Sequence, residues 1–503
     1  MKIINGIVRS LAIMVLSIAV YERAPAKEAQ KVLLPSPGSS LISFRVLVKT
    51  GAAYDPPGKE GLASLTATTM AEGGTPGLTY SEVLEELYPM AAQIEAFIDK
   101  EVTVFTGTVH RDKLAEFYEI FKDVITSPRF DTDDFERERD NHINYLTKVL
   151  RGNDDEALGK EALSLFIYED HPYGHVNQGT VNGLESLTID DLKGFHNKYF
   201  TRDRITIGIA GGYPDELLEW VDRDFGSLPE GETDDVSIPP PKEFEGVHML
   251  LVEKPCRATA ISMGFPIDVG RKDEDFFPLL VANSYLGEHR TLNGVLMQKI
   301  REERGLNYGD YSYIEHFVQD GGSTFPLPNV LRRSQYFSIW IRPVAHENAH
   351  FAQRTALREL DRLTSGDVDL EALGDTRSFL ANYSKLWVQT LTRRLGYKMD
   401  SEFYGMEDYI AEIEKKLGSL EDEEILEAAK RHLGRGNIKV AIVTEDAKAL
   451  RDRILSNEPS PINYGNATTS DRILKEDELI ENYEISINPE NVRIVKADEL
   501  FQE

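Results

Sequence analysis

The sequence predicts an α+β protein built from two homologous halves. Three observations carry this: the length, a recurring order of elements, and a proline-rich break between the repeats. A chain of 503 residues exceeds what one hydrophobic core usually serves. A content of 41% hydrophobic and 28% charged residues fits globular halves that each bury a core. The break is Asp234-Asp235-Val236-Ser237-Ile238-Pro239-Pro240-Pro241. A triproline beside acidic residues continues neither a helix nor a central strand and favours an extended spacer.

The first half, residues 31–233, opens with an apolar strand-like run at 41–48. The turn residues Tyr54-Asp55-Pro56-Pro57-Gly58 follow, then a short helix over 61–70. Residues 93–98 and 101–109 read as a hairpin, because apolar and polar residues alternate in the second run. Helical periodicity fills 111–168, broken at Pro128 and near Gly152. A strand at 205–211 and a helix from about Pro214 close the half. After the linker, 234–246, the plan recurs over 247–457. Strands are expected at 259–265, 308–314 and 336–341, helices at 274–286 and through 346–433, and a closing strand and helix at 438–443 and 446–455. Residues 458–503 form an acidic extension in which 483–487 and 492–495 read as short strands.

Composition narrows the functional classes. A formal net charge of −29 repels nucleic acid and anionic membranes and steers basic partners inward. The single cysteine, Cys256, excludes an intramolecular disulfide. Lys2 and Arg9 precede the apolar run 11–20, and Ala24-Pro25-Ala26 matches a signal-peptidase site. That run is short for a bilayer span. Residues 1–26 are therefore expected to be a signal peptide, and the protein to be exported, in the periplasm.

The decisive stretch is Gly61-Leu62-Ala63-Ser64-Leu65-Thr66-Ala67-Thr68-Thr69-Met70. It resembles the metal-binding helix of the insulinase-type peptidases, the family of pitrilysin and the mitochondrial processing peptidase. Those enzymes read Gly-Leu-Ala-His-x-x-Glu-His-Met there, the H-x-x-E-H motif. Ser64 and Thr68 stand at the two histidine positions and Ala67 at that of the general base. Neutral hydroxyls are poor zinc ligands, and alanine carries no base. The family's third ligand is a glutamate in a helix resembling 135–145, where its position falls at Asn144 or Tyr145, neither a carboxylate. The resemblance implies two halves, each an antiparallel sheet with helices on one side, enclosing a chamber. It also implies that this chain holds no zinc of its own.

A second motif resembles the family's C-terminal half. In Gln298-Lys299-Ile300-Arg301-Glu302-Glu303-Arg304-Gly305-Leu306-Asn307-Tyr308, an arginine ends a helix and a tyrosine begins a strand. In the family this pair reaches into the catalytic chamber, where both side chains can donate hydrogen bonds to a peptide carbonyl. Heterodimeric members divide the parts between subunits, one with H-x-x-E-H and the other with the arginine and tyrosine. The chain resembles the second kind, so a zinc-bearing homologous partner and a peptide substrate are expected, with Arg301 and Tyr308 binding substrate. A scaffold without a peptidase role is the alternative.

A competing reading rests on His346-Glu347-Asn348-Ala349-His350, a literal H-E-x-x-H with Glu371 downstream as a third ligand. It would make the chain a self-sufficient zinc peptidase, and it requires a regular helix around both histidines. His171 and His175 flank Pro172 and Gly174 and read as a structural loop. His289 beside Arg290 supports no assignment.

Overall fold

The computed structural model describes residues 29–231, 235–465 and 469–503. The expected signal peptide lies outside them. Among the described residues no helix is long and apolar enough to cross a membrane.

The first sheet contains β1 (Gln30–Pro35), β2 (Leu41–Val48), β3 (Ile94–Ile98), β4 (Thr103–His110) and β5 (Ile205–Gly211), in the order β1-β5-β2-β4-β3. The second contains β6 (Val247–Glu253), β7 (Thr259–Ile267), β8 (Asp310–Tyr313), β9 (Gln335–Val344), β10 (Ile438–Thr444) and β11 (Val492–Lys496), in the order β11-β6-β10-β7-β9-β8. Without β11 the two orders coincide. In each sheet the first strand of the half pairs parallel with the last, and the remaining pairs of this common set are antiparallel. The repeat read from the sequence is thus a repeat of topology.

Each half covers one face of its own sheet with helices and lends one helix to the other half. Helix Asp155–Ile167 crosses β7 and β10 of the second sheet, and helix Leu391–Tyr404 crosses β1, β2 and β5 of the first. This exchange explains why β5 and β10 are buried along their whole length: a strand covered on both faces reads as a continuous apolar run. At Gly208 the crossing helix sits so close that a Cβ would lie 2.6 Å from Met399 Sδ.

Polar groups fix the docking. Arg332 Nε bonds both oxygens of Asp99, at 3.1 and 3.0 Å, and both side chains are buried. Burial opposes ionisation of Asp99, but the Arg332 charge and hydrogen bonds outweigh it and hold the carboxyl well below the usual range. Arg333 pairs with Glu101 and, at 3.2 Å, with Asp235 of the linker. His171 Nε2 donates to Pro239 O at 2.7 Å, and its Nδ1 accepts from Tyr173 N at 3.0 Å. The histidine loop therefore anchors the linker.

The acidic extension packs on the second half, and its last residues bond to the first, Val181 N donating to Phe501 O at 3.0 Å. Helix Asp471–Glu481 packs on helix Ala349–Ser365, and β11 pairs parallel with β6. Of the two short strands expected there, 492–495 forms β11 and 483–487 is not a strand.

Candidate functional site

Helix Leu62–Ala71 begins at Gly61, whose φ of 108° places it in the left-handed region. Asp55 caps the helix, its carboxylate accepting from Gly61 N and Ala63 N at 2.7 Å each. His175 Nε2 meets the same carboxylate at 3.2 Å, which gives that histidine a supporting role. Apart from Thr68, every residue of the helix is buried, so its side chains are committed to packing.

The hydroxyls of Ser64 and Thr68 are committed as well. Ser64 Oγ lies 3.1 Å from His142 Nε2, and His142 Nδ1 lies 2.8 Å from Glu138 O. A carbonyl can only accept, so Nδ1 carries the proton and Nε2 accepts from the serine hydroxyl. Burial lowers the His142 pKa, only partly offset by the Glu138 carbonyl, and the ring is neutral at pH 7. Thr68 Oγ1 donates back to Ser64 O at 3.1 Å, the usual habit of a helical threonine. Ala67 is fully buried.

Asn144 is exposed on the last turn of helix Thr132–Asn144, whose buried face consists of Asp134, Phe135, Glu138 and His142. The residue that meets Ser64 is therefore His142, and the sequence reading missed it. The available signal was its i+4 spacing from Glu138 on the buried face. Tyr145 starts a π-helical segment, Tyr145–Asn153, and lines a cleft of about 400 Å³ between the halves. Zinc needs three or four basic donors around one point. Two hydroxyls, one of them bound to a neutral histidine, do not fit it. Among the described residues no three His, Cys, Asp or Glu side chains group so as to hold a metal ion.

A second cleft, of about 510 Å³, opens beside Thr68. It is bordered by Glu72, Tyr80 and Arg45, by Pro328 and Asn329 from the other half, and by β3. Among the described residues β3 pairs only with β4, so its outer edge has no strand partner there.

Arg301 and Tyr308 lie together in the second half. The Arg301 guanidinium is 5.9 Å from the centre of the Tyr308 ring and 3.3 Å from Glu302. Tyr308 is 78% exposed. Gly305 ends the preceding turn with φ +64°, as its position predicts. The strand begins two residues later than expected, at Asp310, so Tyr308 projects from a loop. Neither residue lines either cleft.

The H-E-x-x-H run does not form a zinc helix. His346–Asn348 is a 3₁₀ turn, and the α-helix starts at Ala349. Both nitrogens of His346 are engaged, Nδ1 by Thr259 Oγ1 at 2.8 Å and Nε2 by Cys256 O at 3.2 Å. His350 is buried, and burial together with Arg354 and Arg453 lowers its pKa to about 3. His289 Nδ1 meets the Tyr313 hydroxyl at 2.6 Å in a buried aromatic cluster.

Two family models match this chain, "Insulinase (Peptidase family M16)" over residues 31–176 and "Peptidase M16 inactive domain" over residues 186–379. The chain belongs to the insulinase family, M16. It is 26% identical to a Bacillus subtilis protein named an uncharacterized zinc protease, over 58% of this chain and 69% of the relative. It is 22% identical to the mitochondrial-processing peptidase subunit beta of Caenorhabditis elegans, over 55% of this chain and 61% of that one. The crystal structure of a peptidase M16 inactive domain from Pseudomonas fluorescens superposes with a TM-score of 0.73 at 20% identity, covering 83% of this chain and 95% of that one. This M16 chain therefore has the family fold, with Ser64, Ala67 and Thr68 on helix Leu62–Ala71.

Proposed function

We propose that this M16 protein is a non-catalytic, peptide-binding subunit that works with an intact zinc-bearing homologue. The observation that carries the reading is the fate of the metal helix. The helix is capped by Asp55, while Ser64 is bonded to His142 and Ala67 is packed into the core. A chain under selection for its own zinc chemistry would not combine these features.

The free edge of β3 beside the cleft suits an extended peptide, whose backbone would add a strand while side chains enter the cleft. Arg301 and Tyr308, paired and accessible, are the groups that would donate hydrogen bonds to a substrate carbonyl in a chamber shared with the partner. Zinc and the attacking water would belong to the partner. The signal-like N-terminus supports export, and the net charge of −29 favours a basic peptide or partner.

The test is reconstitution with an intact H-x-x-E-H homologue from the same organism. The complex should cleave peptides that neither chain cleaves alone. Arg301→Ala with Tyr308→Phe should lower kcat/KM by about 100-fold, the scale of a lost oxyanion donor. Full activity in the double variant would remove the pair's role. Stable association without any gain in activity would favour a scaffold.

A further inference from the structure

The second half contains a cavity of about 60 Å³ that the peptide-binding reading does not use. A water needs about 10–15 Å³ by this kind of measure, so there is room for a few waters or one small organic group. The residues that line it include Tyr313, Phe317, Trp387, Tyr397, Tyr409 and Glu288. Aromatic faces beside a carboxylate form the surroundings that attract a cation.

Arg271 also lines the cavity, and its charge is already engaged by carboxylates. Arg271 Nε and Nη2 each bond Glu315 at 3.0 Å, and Arg271 Nη1 bonds Asp400 at 3.2 Å. One guanidinium thus serves two carboxylates. The nearby Arg393 is bound to main-chain oxygens, Nε to Trp387 O at 2.5 Å and Nη2 to Pro326 O at 2.6 Å. Glu288 forms no ion pair with Lys, Arg or His among the described residues. Burial drives its carboxyl up to about 7. The same wall already receives one cation, since Arg271 lies 4.4 Å from the Tyr409 ring centre.

We propose that this cavity binds a small organic cation carrying N–H donors, a primary ammonium or a guanidinium, with Glu288 as counter-ion and the surrounding rings as its cage. A hard metal cation would need six or more oxygens, which these walls do not supply. A quaternary ammonium has no N–H for Glu288. The inference is independent of peptide binding and of Arg301.

The full-length protein is titrated with millimolar methylammonium chloride, with tetramethylammonium chloride and sodium chloride at equal ionic strength as controls. Melting temperature and calorimetric heat are the readouts. Methylammonium should raise Tm saturably, by several degrees. Glu288→Gln should weaken binding by about tenfold or more, the scale of one charge-assisted hydrogen bond. Phe317→Ala, a change in a partly exposed ring, should weaken it less, and Arg301→Ala should leave it unchanged. An equal shift with sodium chloride, an unaltered response in Glu288→Gln, or no saturable response would overturn the proposal.

Discussion

The two halves share one five-strand order, yet they treat their functional positions in opposite ways. In the first half helix Leu62–Ala71 is almost entirely buried, and Ser64 and Thr68 make internal hydrogen bonds. In the second half Arg301 and Tyr308 remain accessible, with Tyr308 78% exposed. A residue kept only for stability is normally drawn into packing, as Ser64 and Ala67 have been. A large exposed aromatic paired with a guanidinium gains little stability where it stands. The comparison teaches that two halves of one topology can pack one such stretch into the core and leave the other at the surface.

The comparison breaks most severely if the halves are pried apart. Arg332→Met leaves the buried Asp99 carboxylate without its partner, at an expected cost of about 3–5 kcal/mol in denaturant unfolding. The same pair sets an acid limit. The folded Asp99 pKa is depressed, so its stabilisation is complete above the unfolded value of about 4 and is lost as pH falls through the folded value. Arg332→Met should therefore show a flatter stability profile below about pH 4 than the parent protein.

A smaller effect is expected at the crossing helix. Gly208→Val places a side chain where a Cβ alone would approach Met399 Sδ to 2.6 Å. Overpacking of this kind costs about 1–3 kcal/mol. The loss should register as a lower denaturation midpoint with the m-value retained.

At the degenerate motif, Ser64→Ala strands the buried His142 Nε2 without a donor and should cost about 1–2 kcal/mol. Arg301→Ala with Tyr308→Phe, by contrast, should change stability by less than about 0.5 kcal/mol. Equal losses at both places would erase the distinction between a packed half and an accessible one.

Much of the architecture was legible because it rests on local patterns. The 41–48 run is β2 without adjustment, the alternating 101–109 segment lies in the β3–β4 hairpin, and Gly305 marks the end of its turn. The exchange of helices Asp155–Ile167 and Leu391–Tyr404 was not legible. Nothing in a helix's own periodicity says which sheet it will cover. β1 was missed because Gln30 and Lys31 dilute a short edge strand whose partner, β5, lies far along the chain. At the candidate site, the sequence shows that Ser64, Ala67 and Thr68 offer neither an imidazole nor a carboxylate. The His142 contact required knowing which face of a distant helix turns inward. The H-E-x-x-H run looked chemical in one dimension and proved to be a turn entering a helix.

The most direct test of the central claim is elemental analysis of the purified protein after dialysis against a zinc-containing buffer, with the His346→Ala/His350→Ala variant alongside. Zinc far below one equivalent in both proteins, and no peptide hydrolysis by the chain alone, is the predicted result. About one tightly held zinc per chain would contradict the account, and its loss in the double variant would assign the metal to His346 and His350.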